Sequence, residues 1–250
     1  MALQEELEEQ GNWLFKYRSY LPLIVLIIGA GLYAHTKFYP GTFILEGTPY
    51  KIYYETLALI IGLVGLSIRV YTVGHTPQNT SGRNTDQQIA DTLNTTGMYS
   101  ILRHPLYLGN FLMWFAPAML TGNFWFLIAF VLFYWVYYER IMYAEEQFLR
   151  KKFGNEYLEW SKDVPAFIPN LKNFQKSNLS FSWKKVLKKE KNGLFALFLI
   201  FCVFDVSGEL IQNTTNYNYF LIGMTALTGF SYIVLRYLKK NTDLLNELNR

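Results

Sequence analysis

The residues of this chain best suited to chemistry lie at positions 97–110, where an arginine and a histidine directly precede Pro105. A proline disfavours helical backbone at the residue before it and suits the first position of a helix. The sequence therefore predicts a helix that begins at Pro105, with Arg103 and His104 just outside it. The unpaired N–H groups and the positive end of the helix dipole would lie beside both side chains. This arrangement predicts an anion-binding site.

Further polar and small residues follow in the first turns of this predicted helix and later in the chain. Gly109 removes a side chain where a ligand could approach the backbone, while Tyr107 and Asn110 add a hydroxyl and an amide. Glu145 and Glu146 are adjacent, so on a helix they point about 100° apart and only one needs to touch a ligand. Taken singly, an arginine at a membrane edge more often snorkels to phosphate headgroups than takes part in catalysis.

The elements that must position these residues are membrane helices. The chain has 250 residues, of which 51% are hydrophobic, and they gather in runs long enough to cross a bilayer. Only a helix satisfies its backbone within one span. We therefore predict an all-α, polytopic helical membrane bundle with about six transmembrane helices and a cytoplasmic interfacial helix after the fourth. The predicted spans are residues 20–38, 53–73, 106–120, 124–138, 194–211 and 219–238.

Turn residues and cysteine usage limit this fold further. Thr121, Gly122 and Asn123 separate the third and fourth spans and predict a tight helical hairpin, with Pro117 a kink or an early end. Cys202 is the single cysteine, so neither an intramolecular disulfide nor a thiolate metal cluster can form, and we expect no metal. No Rossmann-type glycine fingerprint occurs, so helices and loops must hold any nucleotide.

Basic residues indicate the orientation. They concentrate after the fourth span, between Arg140 and Lys191, whereas the turns near Gly122 and Asn216 are uncharged. Because cytoplasmic loops carry the excess of Lys and Arg, this pattern places both termini, residues 74–104 and the basic segment in the cytoplasm. We expect an integral protein of a bacterial inner membrane. The basic cluster is interpreted as contacting anionic lipid headgroups, and no nucleic acid is expected as a partner.

The predicted organisation has three parts. Residues 1–175 form a membrane core whose motif region is 97–169, residues 176–193 form a basic linker, and residues 194–250 form an appended two-helix module and tail. Within the core, the polar loop after the second span is long for a connection between membrane helices. Its composition fits a functional loop and a solvated linker equally well.

Several motifs occur together in one order. They are Gly97-x-Tyr99, Arg103-His104-Pro105-x-Tyr107-x-Gly109, Glu145-Glu146, and a tail from Phe153-Gly154-x-x-Tyr157 to Val164-Pro165. This compound pattern resembles the isoprenylcysteine carboxyl methyltransferase and phospholipid methyltransferase superfamily. The resemblance implies S-adenosyl-L-methionine as methyl donor, bound in a helical membrane site. The residues it implies for cofactor binding are Tyr99, His104, Pro105, Tyr107, Gly109, Asn110, Glu145 and Glu146.

The chemistry of that donor is compatible with these residues. Arg103, His104 and the helix start suit its carboxylate, and a glutamate suits its ammonium or ribose hydroxyls. Methyl transfer from a sulfonium is an in-line displacement that requires alignment of the reactants and exclusion of water. An anionic oxygen acceptor needs no general base, whereas an amine acceptor would first lose a proton.

The loop around Arg83 gives an indication of the methyl acceptor. Residues 80–85, running into 93–97, are similar to a bacterial branch of the superfamily that methylates a phosphate of lipid A, such as its 1-phosphate. We therefore expect transfer to an anionic oxygen of a membrane lipid or lipidated acceptor, with Arg83 and Arg103 as catalytic residues. Asp163 lies where isoprenylcysteine methyltransferases commonly have a basic residue. This difference argues against the carboxyl group of a prenylated cysteine as the acceptor. Isoprenylcysteine-type carboxyl and phospholipid amine transfer remain alternatives.

Two further classes of function stay open. A sterol-reductase-like enzyme shares the Arg-x-Pro-x-Tyr-x-Gly stretch but uses NADPH. The chain has Ala144-Glu145-Glu146 where those enzymes have Arg-Asp-Glu, which leaves few basic groups for a 2′-phosphate. A non-enzymatic transporter or assembly subunit would be favoured by Asp205 and Glu209, one turn apart in the fifth span. Their position near the outer end of that helix favours an interfacial placement instead.

Overall fold

The computed structural model describes residues 2–45, 48–80 and 88–247. The α-helices in these ranges are α1 (Leu3–Tyr17), α2 (Leu21–Phe38), α3 (Lys51–Gly74), α4 (Pro105–Leu120), α5 (Phe124–Phe153), α6 (Asn155–Asp163), α7 (Trp183–Ile211) and α8 (Tyr219–Asn241). The strand-like pairing seen in the same ranges is one isolated bridge between Gly97 and Gln175. The all-α fold is therefore confirmed.

Five of these helices, α2, α3, α5, α7 and α8, are long and apolar enough to cross a membrane. Helix α4 has 16 residues, which at about 1.5 Å per residue is somewhat less than the bilayer core of about 30 Å. It nevertheless runs between the same two ends of the bundle, because it starts beside the last turns of α5 and ends in the hairpin at Gly122. The molecule is a polytopic helical membrane protein.

Helix α5 extends beyond its apolar segment, as expected for a helix that continues after the fourth span. It leaves the apolar segment and continues without a break to Phe153. Gly154 follows with a φ of +54°, a backbone conformation that favours glycine and ends the helix. Pro117, in contrast, does not end α4 early, since that helix continues to Leu120. Glu145 and Glu146 lie in the second half of α5, beyond its apolar segment.

Helix α7 begins at Trp183, earlier than the predicted residue 194, so basic residues of the predicted linker lie in its first turns. Ser182 caps it, since its side chain accepts a hydrogen bond from the Lys185 backbone N–H, and lysines are good helix formers. The apolar part of α7 joins α2, α3 and α4 in one core through Leu197 and Phe201. The division of the chain into three parts stays a prediction.

Helix α1, which was not predicted from the sequence, packs along α5. Gly11 makes this close approach possible, because a Cβ there would lie 2.1 Å from the carbonyl oxygen of Arg140. Phe15, one turn further along, is buried in a cluster with Tyr107 and residues of α5. Helix α1 thus brings the residues that follow it, including Arg18, to the end of the bundle where α4 begins.

Helices α3 and α4 cross closely at two glycines. A Cβ on Gly65 would lie 2.6 Å from the carbonyl oxygen of Gly109, and a Cβ on Gly109 would lie 2.8 Å from that of Gly65. Small residues at a crossing let helix backbones approach each other in a membrane. This contact fixes the position of α4, and with it the Arg-His-Pro turn at its start.

The variant Gly65→Ala is expected to lower the free energy of unfolding by about 1–3 kcal/mol, because the added methyl must displace the backbone of α4. Thermal unfolding in detergent measures the effect. Gly31→Ala in α2 is the matched control, since a Cβ there meets no atom within 4 Å. Equal losses in both variants would contradict the tight crossing.

Asp205 and Glu209 stabilise the turn between α7 and α8. One oxygen of Asp205 accepts a hydrogen bond from the Asn218 backbone N–H at 2.9 Å, and Glu209 accepts one from the Asn216 N–H at 2.8 Å. Both carboxylates therefore have structural partners at the end of the bundle that carries the turn between α7 and α8. These contacts favour the interfacial interpretation over an ion path.

Candidate active site

The turn before α4 is held in place by the segment that follows α6. The backbone N–H groups of Arg103 and His104 donate to the carbonyls of Pro165 and Ala166 at 2.9 and 3.2 Å. His104 is the N-cap of α4, and the helix begins at Pro105 as predicted. The proline-punctuated tail thus acts as a backbone partner that fixes both side chains at the helix start.

Arg103 forms an ion pair with Glu146. Its Nε donates to Glu146 Oε1 at 2.8 Å and its Nη2 to Oε2 at 3.3 Å. Its Nη1 donates to the carbonyl oxygens of Ser161 and Val164 at 3.0 and 2.9 Å. The guanidinium therefore joins α5, the end of α6 and the start of α4. This contact differs from snorkelling to a lipid headgroup.

His104 lies between the two adjacent glutamates and is buried, with 5% of its surface exposed. Its Nε2 is 3.0 Å from Glu146 Oε1, and its Nδ1 is 3.6 Å from Glu145 Oε2. Burial lowers the pKa of His104, but the hydrogen bonds and charges of Glu145 and Glu146 outweigh burial and raise it above its usual value. A protonated ring donates a hydrogen bond to Glu146 and forms an ion pair with Glu145, which keeps both carboxylates in fixed positions.

Tyr107 completes this cluster one turn into α4. Its hydroxyl donates to Glu145 Oε1 at 2.6 Å, and its ring stacks on that of His104 with centroids 5.7 Å apart. Residues that the sequence places about forty positions apart are therefore in direct contact. His104, Tyr107, Glu145 and Glu146, together with Arg103, are called the carboxylate cluster below.

A cavity of about 690 Å³ opens beside the carboxylate cluster. Helices α1 to α7 all contribute to its wall, and so does the loop between α3 and α4, through residues such as Thr80 and Asn94. The predicted site residues that line it are Tyr99, Arg103, His104, Pro105, Tyr107, Asn110 and Glu145. The long polar loop is therefore part of the cavity wall.

Two predicted cofactor-binding residues lie outside the wall of this cavity. Glu146 does not line the cavity. Its carboxylate instead contacts the side chains of Arg103 and His104. Gly109 faces α3, where a Cβ would lie 2.5 Å from the Arg69 side chain, so its small size serves helix packing and not the approach of a ligand. Arg83, the other predicted catalytic residue, lies outside the described residues.

Sequence reasoning missed the importance of a second ion pair in the cavity wall, between α3 and α7. Arg69 donates from Nε and Nη2 to the two oxygens of Glu190 at 2.8 and 2.7 Å. Its Nη1 donates to the side-chain oxygen of Asn110 at 2.6 Å. The local signals were a single arginine within an apolar run and a single glutamate within a run of lysines.

The bundle is that of a helical membrane protein, and Glu145 and Glu190 line the cavity beside the carboxylate cluster. Residues 54–156 match the phospholipid methyltransferase family. The matched region includes α4, the Arg-His-Pro turn and both glutamates. The superfamily resemblance of the motifs is therefore confirmed.

Three relatives illustrate the likeness. The chain is 32% identical over 121 residues to a protein-S-isoprenylcysteine O-methyltransferase of Schizosaccharomyces pombe, covering 46% of the chain and 50% of that protein. It is 31% identical over 113 residues to the protein of the same name from Saccharomyces cerevisiae, covering 45% of the chain and 46% of that protein. A cobalt-zinc-cadmium resistance protein, CzcN, of Cupriavidus metallidurans is 27% identical over 164 residues, covering 64% and 67%.

The chain spans about half the length of the two yeast relatives that it matches. No solved structure matches it. The two yeast relatives carry the name of a methyltransferase, in agreement with the family match at residues 54–156.

Proposed function

We propose that this protein is an S-adenosyl-L-methionine-dependent methyltransferase that transfers a methyl group to an anionic oxygen of a membrane lipid or lipidated acceptor. The observation that carries the proposal is the cavity of the methyltransferase-family domain, which brings Glu145, His104 and Tyr107 together beside an apolar wall of membrane helices. A polar donor and a lipid acceptor need these two environments next to each other.

The residues of the cavity fit the donor. Its volume of about 690 Å³ lies within the range of small-molecule pockets, about 300–1,000 Å³. Glu145 offers a carboxylate to an ammonium or to ribose hydroxyls. Trp160 lines the cavity, and its buried indole N–H has no hydrogen-bond partner within the ranges that the structure describes. A buried donor of this kind favours a bound acceptor group.

In this proposal the donor supplies an electrophilic methyl group, and the chain positions the reactants. Tyr107 and His104 hold the carboxylate of Glu145 at the cavity wall through the contacts at 2.6 and 3.6 Å. The apolar helices exclude water from the site, which favours an in-line displacement. An anionic acceptor oxygen loses no proton, so His104 can remain bound to both carboxylates and is not required as a base.

Arg103 is proposed as a positioning residue. It lines the cavity, but its Nε and Nη1 already donate to Glu146 and to the carbonyls of Ser161 and Val164. A guanidinium with these partners fixes the helix start and the carboxylate cluster. The role of Arg83 as a ligand of acceptor phosphate oxygens, such as those of lipid A, stays a proposal that rests on the loop sequence.

The orientation proposed for the protein places the carboxylate cluster and both termini in the cytoplasm of a bacterial inner membrane. The basic first turns of α7 and the carboxylate cluster lie at the same end of the bundle, since Lys189 lines the same cavity as His104 and Glu145. The positive-inside rule assigns that end to the cytoplasm, where the methyl donor is made. A reporter inserted at Arg83 that reads out as extracellular would refute this scheme.

Calorimetric titration with S-adenosylhomocysteine tests donor binding. We expect the wild type to bind and Glu145→Ala to bind about tenfold to a hundredfold more weakly, because a hydrogen bond to a charged group contributes roughly 1.5–3 kcal/mol. Glu156→Ala, an exposed glutamate on α6, is the control and should bind like the wild type. A wild type that binds NADPH but not S-adenosylhomocysteine would refute the proposal and favour the reductase alternative.

A carboxyl group on a prenylated cysteine is the second candidate acceptor. It is favoured by the names of the yeast relatives, which are 32% and 31% identical to the matched part of this chain. Incubation with a methyl-labelled donor, total bacterial lipid and a farnesylcysteine analogue separates the candidates. Label in a lipid fraction, with the mass shift of one added methylene unit, supports the lipid acceptor, and label in the farnesylcysteine analogue supports the carboxyl acceptor.

A further inference from the structure

Helix α7 lies outside the residues that match the methyltransferase family, yet it forms one wall of the cavity. Its lining residues recur every three to four positions, as expected for one face of a helix. They are Lys189, Glu190, Asn192, Gly193, Ala196, Leu197 and Ile200. This face is called the α7 wall below.

The α7 wall changes from polar to apolar along its length. Lys189, Glu190 and Asn192 occupy its first turn, near the end of the bundle that carries the carboxylate cluster. From Gly193 to Ile200 the lining side chains are apolar, and two of them are small. At about 1.5 Å per residue, the wall from Lys189 to Ile200 is roughly 16 Å long. The polar first turn of the wall suits a lipid headgroup, and the apolar remainder suits an acyl chain.

Charge around the cavity favours an anionic headgroup. Within the described ranges, the lining side chains include the cationic residues Arg18, Arg69, Arg103 and Lys189, the histidine His104, and two carboxylates, Glu145 and Glu190. Arg69 is held by Glu190 in a two-bond ion pair on the α7 side of the cavity. The tyrosine and glutamate proposed for the donor, Tyr107 and Glu145, come from α4 and α5. The two halves of the cavity therefore differ in the helices that supply them.

We propose that the α7 wall binds the methyl acceptor, an anionic amphiphile whose acyl chain lies along residues 193–200 and whose headgroup lies beside Arg69 and Lys189. The inference rests on the proposed function and specifies its acceptor site. Helix α7 is thus a part of the active site supplied by the region outside the family match. Arg69, fixed by Glu190, presents a cationic group of defined orientation to the headgroup.

The variant Ala196→Phe tests this proposal, because a ring at this position fills the apolar part of the wall. The matched control is Val203→Phe, at a position on the same helix that is 54% exposed and does not line the cavity. Wild type and variants are placed in nanodiscs of neutral phosphatidylcholine and titrated calorimetrically with dodecyl phosphate. S-adenosylhomocysteine is titrated in parallel.

We expect Ala196→Phe to weaken dodecyl phosphate binding by about tenfold or more, with S-adenosylhomocysteine affinity unchanged, and Val203→Phe to change neither. Inorganic phosphate alone and dodecyltrimethylammonium should bind more weakly than dodecyl phosphate to the wild type. If Ala196→Phe bound dodecyl phosphate as tightly as the wild type does, the α7 wall would not be the acceptor site. The same conclusion would follow if the wild type bound dodecyltrimethylammonium as tightly as dodecyl phosphate. Failure of S-adenosylhomocysteine to bind the wild type would instead overturn the proposed donor.

Discussion

Replacing Glu190 with alanine is expected to lower the free energy of unfolding by about 3–5 kcal/mol, because it leaves the charge of the largely buried Arg69 without its carboxylate partner. The side chain of Glu190 is 4% exposed and that of Arg69 is 15% exposed. Their two hydrogen bonds join α3 to α7, so the loss also loosens the α7 wall. Chemical or thermal unfolding of the detergent-solubilised protein measures the change.

An exposed ion pair provides the control for this result. Glu159 and Lys162 on α6 are joined at 2.6 Å, with side chains 71% and 64% exposed, and Glu159→Ala should cost at most about 1 kcal/mol. The double variant Arg69→Met/Glu190→Leu removes both charges and should be markedly more stable than Glu190→Ala alone. Comparable losses in Glu190→Ala and Glu159→Ala would contradict a buried pair that joins the two helices.

Much of the fold could be predicted because its signals are local. Apolar runs identified the spanning helices, Pro105 identified the start of α4, and Gly154 identified the end of α5. Helix α1 was missed because its polar, acid-rich sequence has no apolar run. The start of α7 was predicted too late because a run of lysines has the composition of a linker as well as of a helix.

The site was predictable to the extent that one compound motif described it. The resemblance grouped His104 with Glu145 and Glu146, and the structure brings the three side chains together. A local pattern contains no information on partners far away in the chain, and Glu190 and Arg69 are 121 positions apart. Gly109 shows the same limit, since the sequence does not distinguish a glycine that admits a ligand from one that admits a neighbouring helix.

The variant Glu146→Gln is expected to weaken S-adenosylhomocysteine binding by about tenfold to a hundredfold, although Glu146 does not line the cavity. Its carboxylate accepts hydrogen bonds from Arg103 at 2.8 and 3.3 Å and lies 3.0 Å from His104 Nε2. Charge-assisted bonds of this kind contribute roughly 1.5–3 kcal/mol each. An amide keeps the shape but removes the charge that orients both groups, so His104 no longer fixes Glu145.

Calorimetry and steady-state kinetics separate this positioning role from a loss of folding. Glu146→Gln should raise the KM for the donor at a temperature well below its unfolding midpoint, and Arg103→Lys should do the same, because a lysine cannot form the two-bond contact. Glu156→Gln on the exposed face of α6 is the matched control. A lowered unfolding midpoint with unchanged donor affinity would assign Glu146 a purely structural role. Loss of donor affinity in a folded variant would establish it as the residue that holds Arg103 and His104 in place for binding.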